Sequence, residues 1–268
     1  MSTTKYIIAV ISAIVLVSCD LEREIIVKLP EHKPQLSVEW YIVEGKPFRM
    51  TLTESVSYFG QPALPLISNA LVTITYNGIT DTLKNRFRLG ENSRFFNYAS
   101  DKTAPYGANT TFTMFIRDPK GREATATATS LDPPITDSPQ LLWNNSNTES
   151  SLLTSIVDFP GQINYFRVLV HNGSTSTPFV ADSWFNDQIS SIGRITIGSR
   201  FAFERGDTAI STVYHISKEY HDFLRSVRTA QNANNSPFGQ PSSLVSNIKG
   251  GTGIFTTIAE TRDTLFVN

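Results

Sequence analysis

The chain has 268 residues and a formal net charge of −1, and 40% of its residues are hydrophobic. This balance argues against a nucleic-acid-binding protein, which needs a clustered basic surface. The length and hydrophobic content are sufficient for one or two domains with well-filled cores. A single cysteine excludes an intramolecular disulfide and a zinc site built from several cysteines. An exported chain of this kind would depend on packing for its stability.

The N-terminus predicts a lipoprotein signal peptide over residues 1–18. Lys5 precedes an apolar run that ends at Val17 and is too short to cross a hydrocarbon core of ~30 Å. The residues Leu16-Val17-Ser18-Cys19 match the bacterial lipobox, in which a signal peptidase cuts before a diacylated cysteine. Cys19 is therefore the predicted lipidation site and the first residue of the mature chain. An ordinary signal peptide with a chance cysteine is the alternative.

An acidic lipid tether is predicted over residues 19–24. Asp20, Glu22 and Glu24 resemble the export signal that directs Bacteroidota lipoproteins to the outer leaflet of the outer membrane. In enterobacteria, an aspartate directly after the cysteine would indicate retention in the inner membrane. For a Bacteroidota host, the sequence thus predicts a lipid-anchored outer-membrane protein that faces the cell exterior.

Residues 25–131 show an apolar period of two, which is typical of β-strands. Asn77-Gly78 separates two such runs and predicts a hairpin with a type I′ turn, and Asp118–Gly121 separates two more. The alternating apolar positions are Leu36, Val38, Trp40 and Ile42; Phe48, Met50 and Leu52; Val72, Ile74 and Tyr76; and Phe112, Met114 and Ile116. Short strands at this spacing predict an immunoglobulin-like β-sandwich.

The composition changes at residues 132–150, where prolines and polar turn residues predict a linker. Residues 151–268 then predict a second β-sandwich or barrel domain. Its strands are predicted at Ser155–Phe159, Tyr165–Val170, Arg194–Ile197 and Ala209–His215. Ser217 can cap one helix, predicted over residues 217–231. The apolar face of that helix repeats at Tyr220, Phe223, Leu224 and Val227. The predicted fold class is mainly β with one helix.

The lipobox with its acidic start and five further segments, in this order, resemble the Bacteroidota outer-membrane lipoproteins grouped as a domain of unknown function, DUF4249. The five segments are Gly45–Phe48, Ile67–Val72, Asp158–Phe166, Ile216–Tyr220 and Asn247–Phe255. The genes of these proteins commonly lie beside those of TonB-dependent receptors. The resemblance therefore implies a surface lipoprotein associated with an outer-membrane transporter or other β-barrel complex, and it implies no catalytic residues. The chain departs from the family pattern by lacking a glycine near Asn186-Asp187.

The sequence contains no Gly-x-Ser-x-Gly, no His-Glu-x-x-His and no aspartate-rich calcium loop, so neither a metal nor another cofactor is expected. His215 and His221 flank the predicted helix start at a spacing that does not place both on one helical face. This favours solvated or locally bonded histidines over a metal pair. Gly250–Gly253 leads into a predicted strand at Ile254–Ile258 rather than a helix. These glycines are interpreted as permitting positive φ or close backbone approach.

Trp184 and Phe185 are the candidate binding residues. They stand in a polar, loop-like stretch between Phe179 and Ile189, where exposed aromatic side chains could stack on sugars or anchor a protein interface. Insertion of these two side chains into the core is the competing interpretation, and the one that aromatic residues more often satisfy.

The sequence as a whole predicts a non-catalytic accessory subunit of a TonB-dependent transporter or another outer-membrane β-barrel complex. A lipid anchor raises the effective concentration of the protein toward a partner in the same membrane, so a modest interface suffices. A capture protein for a glycan, peptide or chelate is one alternative, and a component of an outer-membrane protein assembly complex is another. A hydrolase that uses carboxylates such as Asp182 and Asp187 is the least favoured, and asparagine at either position is expected to act like an average surface substitution.

Overall fold

A computed structural model describes residues 32–57, 64–90, 94–157, 159, 161–189, 193–234 and 243–268. The predicted signal peptide, Cys19 and the acidic tether lie outside these residues, as does the start of the first predicted sandwich. The strands are β1 (Leu36–Val43), β2 (Pro47–Glu54), β3 (Leu71–Tyr76), β4 (Ile79–Leu89), β5 (Phe95–Thr103), β6 (Thr111–Arg117), β7 (Glu123–Thr129), β8 (Gln140–Trp143), β9 (Ser150–Val157), β10 (Tyr165–Asn172), β11 (Ala181–Asn186), β12 (Arg194–Gly198), β13 (Thr208–Ile216) and β14 (Gly251–Phe266). A short 3₁₀ helix covers Asp187–Ile189, and one α-helix, α1, covers Lys218–Asn234.

Two sheets contain all these strands. The larger has eleven strands in the order β11-β10-β13-β14-β1-β2-β5-β4-β3-β6-β7, and the smaller has the order β12-β9-β8. The prediction of a mainly β fold with sandwich-like sheets and one helix is confirmed. Strand β8 lies inside the predicted linker, because Leu141 and Trp143 pack against buried residues of the following strands. The division into two domains at 132–150 stays a prediction, since one sheet continues through both regions.

The first core is built by the predicted alternation. Along β1, Leu36, Val38, Trp40 and Ile42 are buried, whereas the residues between them are partly or fully exposed. The same alternation holds in β2, β3 and β6, so their buried faces meet in one apolar cluster. The Trp40 ring meets Phe255 of β14 edge to face, with ring centroids 5.3 Å apart. This core is specified by a pattern that is local to each strand.

The predicted turns are also present. Asn77 and Gly78 have φ angles of 47° and 73°, so both central residues take the left-handed conformation that a type I′ turn requires. Strands β3 and β4 pair directly on either side, with Tyr76 opposite Ile79. Asp118–Gly121 likewise connects β6 to β7, with Arg117 opposite Glu123. Both hairpin predictions are confirmed.

Strand β14 joins the two regions of the sheet. Its first half, up to Ile258, pairs in parallel with β1, and its second half pairs antiparallel with β13. A parallel partner so distant in sequence leaves no local signal, and the sequence did not predict this pairing. The glycines before and inside β14 are needed because a Cβ at Gly250 would lie 2.1 Å from the Glu123 carbonyl oxygen, and one at Gly253 would lie 2.0 Å from that of Val38. Their interpretation as sites of close backbone approach is confirmed.

The second core lies between the smaller sheet and the β10–β13 part of the larger one. Phe166, Val168 and Val170 of β10 pack with Leu152 and Ile156 of β9. The opposite face of β10 and β13 is partly covered by α1, which begins where predicted. The Ser217 hydroxyl accepts a hydrogen bond from the Tyr220 backbone N–H at 3.2 Å and so caps the helix. Tyr220, Phe223 and their neighbours on α1 pack against Ile216 and Ile254.

Candidate functional site

A groove of about 400 Å³ opens where the end of β7, the segment before β10 and the start of α1 meet. We call it the seam groove, because β14, the strand that joins the two regions of the sheet, forms part of its wall through Phe255 and Thr257. It is lined by Thr127, Ala128, Thr129, Leu131, Gln162, Ile163, Asn164, Tyr165, His215, Ile216, Ser217, Lys218, Glu219, Asn247, Phe255 and Thr257. Its volume falls in the range of ligand-binding clefts, about 300–1,000 Å³.

Three of the five segments on which the family resemblance rests meet at this groove. They contribute residues 162–165, 216–219, and 247 with 255, which are far apart in the sequence. Asn247 holds the third segment in place, since its side-chain oxygen accepts the Phe255 N–H at 3.0 Å and its amide donates to the Phe255 carbonyl at 2.7 Å. The fold thus brings these separated motifs into one wall.

A buried polar pair fixes the loop that enters β10. Asp187 is 7% exposed and accepts two hydrogen bonds from Asn164, one from the backbone N–H at 2.8 Å and one from the side-chain amide at 2.7 Å. The Asn164 amide also donates to the carbonyls of Phe159 and Gln162. Asp187 is therefore a structural group and not an average surface carboxylate. Neither Asn186 nor Asp187 has a positive φ, so no glycine is needed at this position.

His215 lies at the back of the groove between two aromatic rings. Its ring stacks on Phe159 and Phe166 at centroid distances of 5.5 and 5.3 Å. Its Nδ1 lies 2.8 Å from the Asp132 carbonyl oxygen and donates to it. Burial lowers the pKa of His215 despite that hydrogen bond, so the imidazole is neutral at pH 7. His221 contacts Asp222 and the Tyr165 ring, and the prediction of locally bonded histidines is confirmed.

The groove offers hydrogen bonding and apolar contact. Its ionisable side chains are Tyr165, His215, Lys218 and Glu219, and Lys218 is already paired with Asp222 one turn along α1. His215 donates a hydrogen bond from its Nδ1 to the Asp132 carbonyl, and among the described residues it is not paired with a nucleophile. This arrangement offers both polar and apolar contacts to a ligand or partner segment.

A second polar cluster, which the sequence did not predict, connects α1 to the sheet. The guanidinium of Arg167 in β10 donates two hydrogen bonds to Asp182 in β11, both at 2.8 Å, and a third to the Tyr220 hydroxyl at 2.9 Å. Burial opposes the charge, but the bonds to Asp182 and Tyr220 prevail and raise the pKa of Arg167. Burial also raises the pKa of Tyr220, so its hydroxyl stays neutral. The cluster fastens the helix to the strands beside the groove.

Comparison with known protein families matches residues 22–264 to the family described as "Domain of unknown function (DUF4249)". The chain belongs to this family. No curated protein gives a match. Among solved structures, the DUF4249 chain is similar to one described as "Cytokine receptor complex - Crystal form 1A", with 12% identity and a TM-score of 0.24 over 84% of this chain and 94% of that chain. A TM-score this low gives no support for a shared fold.

Trp184 and Phe185 of this DUF4249 member lie on opposite faces of β11, which is a strand and not the predicted loop-like stretch. β11 pairs with β10 along its whole length, and this pairing has no local sequence signal. Phe185 packs on the second core, 6.1 Å from the Phe166 ring. Trp184 lies under α1, with its ring 5.5 Å from His221 and beside the Arg228 guanidinium. Both side chains are half-buried and outside the seam groove.

The described residues contain no group of three or more histidine, cysteine, aspartate or glutamate side chains that could hold a metal ion. Within the same residues, no helix is long and apolar enough to span a bilayer. The predicted lipidation residue Cys19 and the predicted export residues Asp20, Glu22 and Glu24 lie outside the described part of the chain.

Proposed function

We propose that this DUF4249 member is a non-catalytic, lipid-anchored protein of the outer membrane, facing the cell exterior, and an accessory subunit of an integral β-barrel such as a TonB-dependent transporter. The observation that carries the proposal is the position of the only cysteine in the chain, at the end of Leu16-Val17-Ser18-Cys19. Membership of the family adds support, since it is the family that the resemblance predicted. Two or three acyl chains at Cys19 would hold the protein at the membrane almost permanently.

The seam groove is the proposed contact surface for the barrel partner. It combines exposed apolar atoms, such as those of the half-exposed Ile163, with the polar side chains of Gln162, Lys218 and Glu219. A groove of this mixed character fits a protruding loop of a partner protein. Because the anchor confines both proteins to one membrane, a contact of this limited size would be sufficient.

The anchor is tested by Cys19→Ala and by mass spectrometry of the native N-terminus. We expect diacylated Cys19 as the first residue of the native protein, and an unprocessed or soluble periplasmic product from the variant. An unmodified N-terminal residue other than Cys19 would contradict the proposal. Replacing Asp20, Glu22 and Glu24 by alanine is expected to keep the lipid but protect the protein from protease added to whole cells. Equal cleavage of the variant and the wild type would show that the acidic residues carry no export signal.

The partnership is tested by mild detergent extraction and mass spectrometry of what co-purifies. We expect an integral barrel to co-purify, and Ile163→Ser to weaken that association. Ile79→Ser is the matched control, because Ile79 is 49% exposed against 50% for Ile163 and does not line the groove. The identity of the barrel separates a transporter from an outer-membrane assembly complex. A native protein that elutes alone would overturn the accessory role.

Ligand capture is a second candidate, which the groove volume of about 400 Å³ favours. The packing of Trp184 and Phe185 against His221 and Phe166 counts against these two aromatics as a ligand platform. A glycan, peptide or chelate that binds the purified protein and is displaced by Ile163→Ser, but not by Ile79→Ser, would favour capture over barrel contact.

A further inference from the structure

The hairpin of β4 and β5 is longer than the strands that pair with it, since β4 pairs with β3 only as far as Leu83. β5 pairs with β2 only between Thr103 and Tyr98. At the next residue along β5 toward the hairpin turn, the side chain of Asn97 replaces the backbone pairing with β2. Its oxygen accepts a hydrogen bond from the Leu52 N–H and its amide donates one to the Leu52 carbonyl, each at 2.8 Å. Residues 84–90 lie beyond the pairing of β4 with β3, and residues 94–96 lie beyond the pairing of β5 with β2, although Arg94 and Phe95 still contact Tyr41 and Thr51. We call these residues the basic arm.

The basic arm exposes large apolar side chains. Phe87 is 58% exposed and Leu89 is 71% exposed. The rings of Phe87 and Phe95 lie nearly parallel, with centroids 6.1 Å apart, so they support each other across the hairpin. Solvent-exposed apolar side chains that cluster in this way commonly mark a membrane or protein contact.

The same arm concentrates positive charge on a chain whose formal net charge is −1. Its cations are Lys84, Arg86, Arg88 and Arg94. Arg86 has one salt bridge, at 3.4 Å to Asp101, whose side chain is 88% exposed. The Arg94 guanidinium lies 4.9 Å from the centre of the Tyr41 ring and holds that end of the arm against β1. Arginine binds phosphate groups through paired N–H donors, which suits it to anionic headgroups.

We infer that the basic arm binds the surface of an anionic membrane, with Phe87 and Leu89 entering the boundary between headgroups and acyl chains and the arginines contacting lipid phosphates. A phosphate-bearing lipid surface presents both apolar and anionic groups to the same short element, as this arm requires. The inference extends the proposed function, since it assumes a chain that is already held at a membrane.

The arm contacts the first two strands of the sheet. The Thr51 hydroxyl donates to the Phe95 carbonyl at 2.7 Å, and Thr51 pairs with Glu39 in β1. Glu39 is three residues from the start of β1, which corresponds to about 10 Å along a strand. Phe95 of the arm thus lies close to the start of β1.

Vesicle sedimentation tests the arm without any partner protein. The chain would start at residue 20, because Pro34–Asn268 forms one compact unit and the lipid would mask weaker binding. It would be mixed with vesicles of phosphatidylcholine alone, or with about one third phosphatidylglycerol. We expect binding to the anionic vesicles only, and about a fivefold weaker binding for Arg88→Gln. Phe87→Ser should weaken binding at every salt concentration.

Arg200→Gln and Phe201→Ser are the matched controls, since both residues are exposed and adjacent but lie after β12, outside the arm. They should bind like the wild type. No binding to anionic vesicles, or equal loss in the control variants, would overturn the inference. So would arm variants that keep full vesicle binding yet lose a co-purifying barrel, which would make the arm a protein contact. A protein extracted alone from cells would refute the accessory role without affecting the vesicle result.

Discussion

Buried polar side chains are unevenly distributed between the two regions of the sheet. Among the described residues before position 131 they are Asp81, Asn97, Asp118 and Ser130, and the main cluster there is built from hydrophobic side chains. After residue 149 they are Ser150, Ser151, Thr154, Asn164, His171, Asp187, Ser211, Thr212, His215, His221, Ser226, Thr256 and Thr257. The first region is stabilised mainly by apolar burial, whereas the second also depends on specific hydrogen-bond partners.

The difference shows how each region can fail. An apolar core loses stability in proportion to the side-chain volume removed, and a neighbouring residue can partly fill the space. A buried polar pair is less tolerant, because removing one partner leaves the other desolvated and unbonded. The seam groove is built on the second region, so its shape depends on pairs such as Asn164 with Asp187.

The largest effect is expected from the apolar core of the first region. Phe48 is 2% exposed and lies within 5.4 Å of the Tyr76 ring and 6.3 Å of the Phe112 ring. Phe48→Ala should lower the free energy of unfolding by about 3–5 kcal/mol, measured by denaturant titration. Phe87→Ala is the control, since its exposed ring should cost about 0.5 kcal/mol or less. Equal losses of stability in the two variants would contradict the conclusion that apolar burial stabilises the first region.

The pairing of β1 with β14, which joins the two regions, should be nearly as sensitive to substitution. Gly253 has a φ of 112°, and its added Cβ would lie 2.0 Å from the Val38 carbonyl oxygen. Gly253→Ala should therefore destabilise the chain by about 3 kcal/mol, because either the β1–β14 pairing or the backbone must shift. Gly121→Ala tests the φ contribution alone, since Gly121 has a φ of 81° with nothing near its missing Cβ. A loss of about 1 kcal/mol is expected there.

Asp187→Ala tests the polar half of the comparison. It would leave the N–H and the side-chain amide of Asn164 without their acceptor, at an expected cost of about 2–3 kcal/mol in unfolding free energy. Asp187→Asn should cost less but still more than the surface-like effect expected from the sequence. Asp101→Ala, at a carboxylate with an 88% exposed side chain, is the control. Equal stability of the Asp187 and Asp101 variants would contradict the assigned role of the pair.

The link between Arg167 and Asp182 should contribute a smaller, measurable coupling. Their side chains are 16% and 21% exposed, so solvent screens the pair only in part. A double-mutant cycle with Arg167→Met and Asp182→Asn should give a coupling of about 1–2 kcal/mol. Hydrogen exchange should quicken in α1, because Arg167 also bonds Tyr220. Additive effects with unchanged exchange in α1 would show that the cluster does not hold the helix.

The smallest effect expected is a pH dependence from the buried histidines. Burial lowers the pKa of His171, with Arg262 adding to the shift, and burial lowers that of His215, both from an ordinary value of 6.5. Below that value the unfolded chain binds protons that the folded chain does not, so stability falls as the pH falls and is constant above it. Each histidine contributes at most about 1.4 kcal/mol per pH unit.

His171→Leu should reduce that slope, because leucine binds no proton. The buried Nδ1 of His171 has no hydrogen-bond partner among the described residues, so its removal leaves no partner of that atom unbonded. Denaturant titrations at about pH 7.5 and pH 5.5 would measure the difference. An unchanged slope would mean that His171 takes up its proton equally in the folded and unfolded chains.

Much of the first region could be predicted from the sequence alone, because its signals are local. The alternation in β1 and the Asn77-Gly78 turn each act within a few residues, and hydrophobic period and turn chemistry operate over that distance. The start of α1 is also local, since Ser217 caps a helix three residues before Tyr220. These features follow from backbone geometry and from which face of an element must be buried.

The β1–β14 pairing and the seam groove could be recognised only in the tertiary structure. The parallel pairing of β1 with β14 connects residues more than two hundred positions apart, and no local pattern encodes which distant strand fills an edge. Trp184 was interpreted as part of a loop because its strand shows no alternation of apolar and polar residues. β11 is an edge strand beside α1, and all six of its residues are partly buried, so no such alternation is required there. Asp187 looked like a free carboxylate because its partner, Asn164, approaches it only in the folded chain. Partner choice among polar groups depends on three-dimensional proximity, which a one-dimensional pattern does not contain.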